Sequence, residues 1–174
     1  STKKSVEMEK KMKITVLMEN TAVSERYLCR HGLSLYIETQ RHKVLFDMGP
    51  DASFLENAKR LGVDISQVDV AFLSHGHYDH GGGLSAFLQE NSRADVHVQA
   101  GVFGKYYAHD AHPKRIRYIG LDSALRDHSR LVVHRGGYRL DEELEVFSGV
   151  RGRICASPAN DNLYWEKDGK EELD

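Results

Sequence analysis

The chain has 174 residues, a length that suits one domain with a real core. Lys and Arg total 24 against 26 Asp and Glu, for a formal net charge of -2. That balance excludes the strong positive field of a nucleic-acid binder and the extreme acidity of a disordered acidic tail. No apolar run approaches the roughly 20 residues of a membrane span, and 40% hydrophobic with 29% charged residues is an ordinary globular balance. One count stands out: ten His.

The first eleven residues are basic and polar, and the apolar stretch Ile14 to Met18 is too short for the roughly 7–15-residue core of a secretory signal. Residues 1–11 therefore read as a solvated, disordered tail, and residues 12–174 as the folded domain. Cys29 and Cys155 are far apart and form no Cys-x-x-Cys pair, which favours a reduced, cytoplasmic setting. Both thiols read as small packing residues.

The alternation of Ile14, Val16 and Met18 predicts a strand over 13–19. Residues 20–31 are polar and read as a loop. Leu33, Leu35 and Ile37 alternate in a second strand, and Lys43–Phe46 continues as a third, so the opening is an antiparallel meander. Gly49-Pro50 breaks it. Asp51 is placed to cap a helix through about Leu61, with Gly62 just past its end. Val68–Leu73 is a nearly continuous apolar run, as expected of a strand covered on both faces. A second helix over Leu84–Glu90 and a strand over Asp95–Gln99 follow. Farther on, 117–121, 131–134, 144–147 and 153–155 are short strand candidates, and 123–128 is a helical turn. Meander strands followed by strand–helix–strand units predict a layered α+β fold.

The segment Ser74-His75-Gly76-His77-Tyr78-Asp79-His80-Gly81-Gly82-Gly83-Leu84 packs three His and one Asp into six residues. Composition alone would produce His-x-His-x-Asp-His in such a chain on the order of 0.2% of the time, so chance is a poor account of this metal-type motif. Neutral imidazoles and a carboxylate are ligands for Zn²⁺, Fe or Mn. Four polar groups at the end of an apolar strand are costly to bury without a partner, and a metal supplies one. His75 and His77 are two apart and share a side in an extended segment. Asp79 and His80 follow a turn. One loop thus offers two ligands to one ion and two to a neighbour. A His-rich surface loop is the competing reading.

The pattern His-x-His-x-Asp-His-x-Gly-Gly after a hydrophobic strand resembles the metallo-β-lactamase fold superfamily. Flanking text at 13–22 (KITVLMENTA), 32–38 (GLSLYIE), 44–49 (VLFDMG) and 54–62 (FLENAKRLG) resembles one branch, similar to the ribofuranosylaminobenzene 5′-phosphate synthase group. The resemblance covers about residues 12–165. It implies an α+β fold of the four-layer αββα sandwich family. It also implies that His75 and His77 hold a first metal, and that Asp79 and His80 hold a second. Two zinc ions are the expected cofactor, with Fe or Mn as alternatives. A hydroxide between the ions would be the nucleophile, and Asp79 counts as catalytic for that reason. Asp47, in Phe-Asp-x-Gly, matches an acidic residue that braces the His loop. Histidine at 77 separates the chain from the diiron flavoprotein branch, which has Glu there.

Members of the superfamily take further His and Asp ligands from a second half, and no such segment follows here. The chain is therefore expected to supply one sheet with flanking helices, the N-terminal half of a domain cut short at its C-terminal end. His109-Asp110-x-His112 is the best substitute among its own residues. His31, His42 and His97 read as structural, and His128 and His134 as exposed or packing residues. Lys114, Arg115 and Arg117 are candidates for a substrate phosphate, against the plainer reading of a solvated loop.

The leading expectation is a metal-dependent hydrolase or related transferase acting on a small phosphorylated or ester-like metabolite, with no nucleic-acid or membrane partner. A non-catalytic metal-binding fragment is the alternative. It would need a homo-oligomer or a complementing C-terminal half as its partner. An iron-dependent dioxygenase of the same fold is a third.

Overall fold

The computed structural model describes residues 11–149 and 158–173. The tail, except Lys11, together with Cys155 and the strand candidate at 153–155, lies outside them.

A six-stranded sheet organises the chain. Its first three strands are β1 (Lys13–Met18), β2 (Ser34–Glu38) and β3 (Lys43–Phe46), paired antiparallel as the meander predicts. Three parallel strands then join in order: β4 (Val70–Phe72), β5 (Asp95–Gln99) and β8 (Leu131–His134). β4 lies between two parallel neighbours, and Val70, Ala71 and Phe72 are all buried, which explains the unbroken apolar run.

Helices α1 (Ser53–Arg60) and α3 (Leu84–Glu90) cover one face of this sheet. The main core lies there and includes Leu17, Tyr36, Leu45, Phe54, Val96 and Phe87. The capping residue of α1 is Ala52 and not Asp51, yet the Asp51 carboxylate still accepts the Ser53 N–H at 2.8 Å. β1 departs from its alternation. A register shift between Val16 and Met18 sends Leu17 and Met18 into the core, while Ile14 and Val16 stay half exposed.

The opposite face carries a smaller cluster of Val44, Val70 and Phe72. A two-strand hairpin of β9 (Tyr138–Arg139) and β10 (Glu145–Val146) lies over it, contributing Tyr138, Leu140, Leu144 and Val146. His42 ties this hairpin down. Its Nδ1 lies 3.2 Å from the Asp69 carboxylate and its Nε2 2.5 Å from that of Asp141. Nearby, Thr39 Oγ1 donates to Glu143 at 2.5 Å, and Arg41 pairs with Glu142 at 3.1 Å.

Between β5 and β8 the chain leaves the main sheet. β6 (Lys105–Ala111) and β7 (Lys114–Tyr118) form a second, antiparallel sheet with β11 (Leu163–Lys167) and β12 (Lys170–Leu173), in the order β12-β11-β6-β7. The strand expected at 117–121 is instead β7, with β6 pairing before it. The observed pair starts earlier, because Tyr106, Tyr107 and Tyr118 hide the alternation on a half-exposed sheet.

Candidate metal centre

Because β3 and β4 are parallel, their C-terminal ends lie side by side. Loops leaving that edge of a parallel sheet commonly build binding sites. β3 delivers Asp47 there, with its N–H bonded to the Phe72 carbonyl at 2.9 Å. β4 delivers Ser74 and His75. His77 then precedes a single helical turn, α2 (Tyr78–Gly81), which carries Asp79 and His80. The turn is held from both sides. Tyr78 N–H donates to the Ile119 carbonyl at 2.8 Å, and Met48 N–H to that of His80 at 2.6 Å.

His75, Asp79 and His80 present three ligand atoms within 4.8 Å of one another. The rings of His75 and His80 are 4.3 Å apart by centroid, and those of His75 and His77 4.6 Å. The two histidines flanking Gly76 therefore do share a side. His77 is buried and stands edge-on to Tyr106 at 5.1 Å. It lies outside the three-residue group, which combines His75 with the Asp79–His80 pair.

Asp47 is fully buried and adopts φ 57°, a left-handed backbone that an Asp tolerates better than most residues. One carboxylate oxygen accepts the Ser74 N–H at 2.8 Å. The other accepts the Ser74 hydroxyl at 2.7 Å and faces His80 Nδ1 at 2.7 Å. Ser74 Oγ lies in turn 2.8 Å from His75 Nδ1. Since that hydroxyl donates to Asp47, His75 Nδ1 must donate to it. A proton on Nδ1 of both His75 and His80 leaves both Nε2 lone pairs free for a cation. Burial, then the neighbouring His80 and His77, holds His75 below the usual imidazole range, which favours its neutral, ligating form. Burial also pulls His80 down, but its bond to Asp47 and the charges of Asp47 and Asp79 outweigh that and raise it. These donors suit a divalent metal of the zinc type.

The other candidates lie elsewhere. Arg115 and Arg117 on β7 both grip Asp110, each Nε at 2.6 Å, so a carboxylate of this chain already occupies the guanidinium groups proposed for a phosphate. Lys114 is exposed at the start of the same strand. His109 faces Glu171 at 2.7 Å, stacks on Tyr164, and is not among the trio's ligand groups. His97 and His134 stack with Tyr138 and meet each other at 2.9 Å, a packing role. His42 is structural, as expected. His31 is not remote from the site: its Nε2 lies 3.4 Å from the Asp79 carboxylate.

A family model for the metallo-β-lactamase superfamily matches residues 28–154, and the chain belongs to that superfamily. Among curated relatives, an uncharacterized protein of Methanocaldococcus jannaschii is 31% identical over 140 residues, covering 76% of this chain and 51% of its own length. The 7,8-dihydropterin-6-methyl-4-(beta-D-ribofuranosyl)-aminobenzene-5'-phosphate synthase of the same organism is 32% identical over 104 residues, covering 56% of this chain and 35% of its own length. A solved structure, Tm1679, a metal-dependent hydrolase of the beta-lactamase superfamily, aligns with a TM-score of 0.66 at 23% identity. That alignment covers 94% of this chain and 57% of the other and supports the α+β fold alone. The chain thus spans about half or less of the length of the curated relatives it matches.

Proposed function

We propose that this chain carries the metal-binding loop of a metal-dependent hydrolase or related transferase acting on a small phosphorylated or ester-like metabolite. The observation that carries the reading is the convergence of His75, Asp79 and His80, with Asp47 and Ser74 fixing both imidazole tautomers. The cofactor proposed is two zinc ions, His77 joining His75 at one position and Asp79 joining His80 at the other, as the family resemblance implies. A bound cation supplies Lewis acidity and a nucleophile near neutral pH.

The protein's own groups do the rest. His75 and His80 offer Nε2, Asp79 offers charge, and Asp47 holds the loop rigid beneath them. The synthase relative's name contains a ribofuranosyl 5′-phosphate, which supports a phosphorylated substrate. That support does not extend to Arg115 and Arg117, whose partner is Asp110. Among the described residues no helix is long and apolar enough to cross a membrane. Cys29 is exposed rather than the packing residue expected, and its free thiol is in keeping with a reducing, cytoplasmic setting.

Metal analysis tests the reading. Untagged protein should retain Zn, Fe or Mn, and His75→Ala and Asp79→Ala should lose it. Protein that takes up none of these would remove the basis of the proposal. Iron with oxygen consumption would favour the dioxygenase reading instead. Metal without turnover of phosphate or carboxylic esters would favour a binding fragment that needs a second half.

A further inference from the structure

His31 sits at the end of the long loop joining β1 to β2, outside the His-rich segment. The backbone there is pressed against the metal-site turn. Gly32 has φ +136°, and a Cβ at that position would stand 2.0 Å from the Asp79 carbonyl oxygen. Leu33 N–H donates to that same oxygen at 3.2 Å, and Gly32 N–H is held by the Asn20 side chain at 3.0 Å. Only a glycine brings the loop this close, and the residue before it is then delivered to the Asp79 side chain.

The separations are informative. His31 Nε2 lies 3.4 Å from Asp79 Oδ2, and His80 Nε2 lies 3.6 Å from the same oxygen. Both exceed the roughly 2.7–3.2 Å of a good N–H···O bond. His31 stands outside the trio whose ligand atoms lie within 4.8 Å of one another, but its Nε2 is as near to Asp79 as His80 Nε2 is, so a turn of its exposed ring would bring it to an ion held there. A cavity of about 260 Å³ lies here, lined by Glu19, Asn20, His31, Asp79 and His80 among others. The His31 side chain is 73% exposed, so closing on an ion costs it a rotamer and no packing.

We infer that His31 is a further metal-ligating residue, closing the Asp79–His80 position from a separate loop. This rests on the proposal that Asp79 and His80 hold a cation. A cation so held cross-links residues 20–31 to α2. Within the loop the backbone bonds are Tyr27 N–H to Ser24 O and Arg30 N–H to Glu19 O, and α1 holds its middle through Asn57 and Arg60, which leaves the end around His31 tied to α2 at Gly32 and Leu33. Metal binding should therefore slow its hydrogen exchange.

Zinc titration by calorimetry, with hydrogen exchange of residues 20–31, tests this on the whole chain and on His31→Ala and Asp79→Ala. Metal-free melting of His31→Ala should equal that of the parent, since the side chain packs against little. The expected result is a loss of about tenfold or more in zinc affinity for His31→Ala, with no zinc-dependent protection of the loop. Equal affinity and equal protection in the parent and His31→Ala, with Asp79→Ala weakened, overturn the inference and leave the proposed function standing. Absence of zinc uptake by the parent overturns both.

Discussion

Asp47 holds His80 from a fully buried position, its carboxylate 2.7 Å from Nδ1, and reaches His75 through the Ser74 hydroxyl. One side chain thus orients two histidines. Asp47→Asn preserves size and tolerance of the left-handed backbone but removes the charge and one acceptor. Metal affinity should fall about 10- to 100-fold, the usual cost of losing such a support. Calorimetric zinc titration reads it, and unchanged affinity would show that the histidines orient themselves.

Gly76 separates the first two histidines, and the loop of residues 100–104 lies against it. A Cβ there would stand 2.1 Å from the Val102 carbonyl oxygen and 2.7 Å from the Tyr106 ring. Gly76→Ala must push backbone apart between His75 and His77. We expect about 1–3 kcal/mol of destabilisation, typical of overpacking, together with weakened metal binding. Chemical denaturation and zinc titration of the same variant check the two parts.

Buried Asn57 on α1 staples the β1–β2 loop to the helix. Its amide donates to the Leu17 and Leu28 carbonyls, both at 2.7 Å, and its oxygen accepts Leu28 N–H at 2.9 Å. Asn57→Ala strands those backbone groups, at an expected cost of about 2–4 kcal/mol. A urea midpoint matching the parent would contradict this.

His42 gives the β9–β10 hairpin a pH dependence. Burial lowers its affinity for a proton, but bonds to Asp141 and Asp69 reverse this, and the net shift is upward. A raised folded pKa means the contribution is complete below the ordinary imidazole value of about 6.5 and fades as pH rises through the folded value. Asp141 is held down at about 2, first by its bond to His42. Its contribution is present above the ordinary carboxyl value and fades as pH falls toward about 2. The hairpin should be held best between roughly pH 4 and 6.5, within a setting that also includes Arg41, Glu142 and Glu143. Exchange rates of amides 138–146 across that range measure it, and His42→Ala should flatten the alkaline limb.

Much of the first hundred residues was legible in the sequence, because each strand there has its own signature. Alternation marked β2 and β5, and an unbroken apolar run marked β4. The candidate metal loop was marked by the spacing of its His and Asp residues, three of which the structure brings together. Two features were not. β6 and its partner β11 are half exposed and rich in adjacent aromatics, so period-2 alternation gives no signal. His31 looked structural because its approach to Asp79 depends on a close backbone contact at Gly32, which is written in no local pattern. Arg115 and Arg117 look like a free basic cluster until the β6–β7 pairing sets Asp110 opposite Arg115.

The change from antiparallel to parallel pairing within the main sheet also orders events in time. β1, β2 and β3 are neighbours in sequence and can zip together locally. β4, β5 and β8 must wait for crossovers, the last of which spans the whole β6–β7 excursion. The ligand loop lies just after the first parallel strand, and His31 lies between two meander strands. Refolding should therefore show hairpin protection first, and on the proposed function zinc uptake only later, once the first parallel strand has docked.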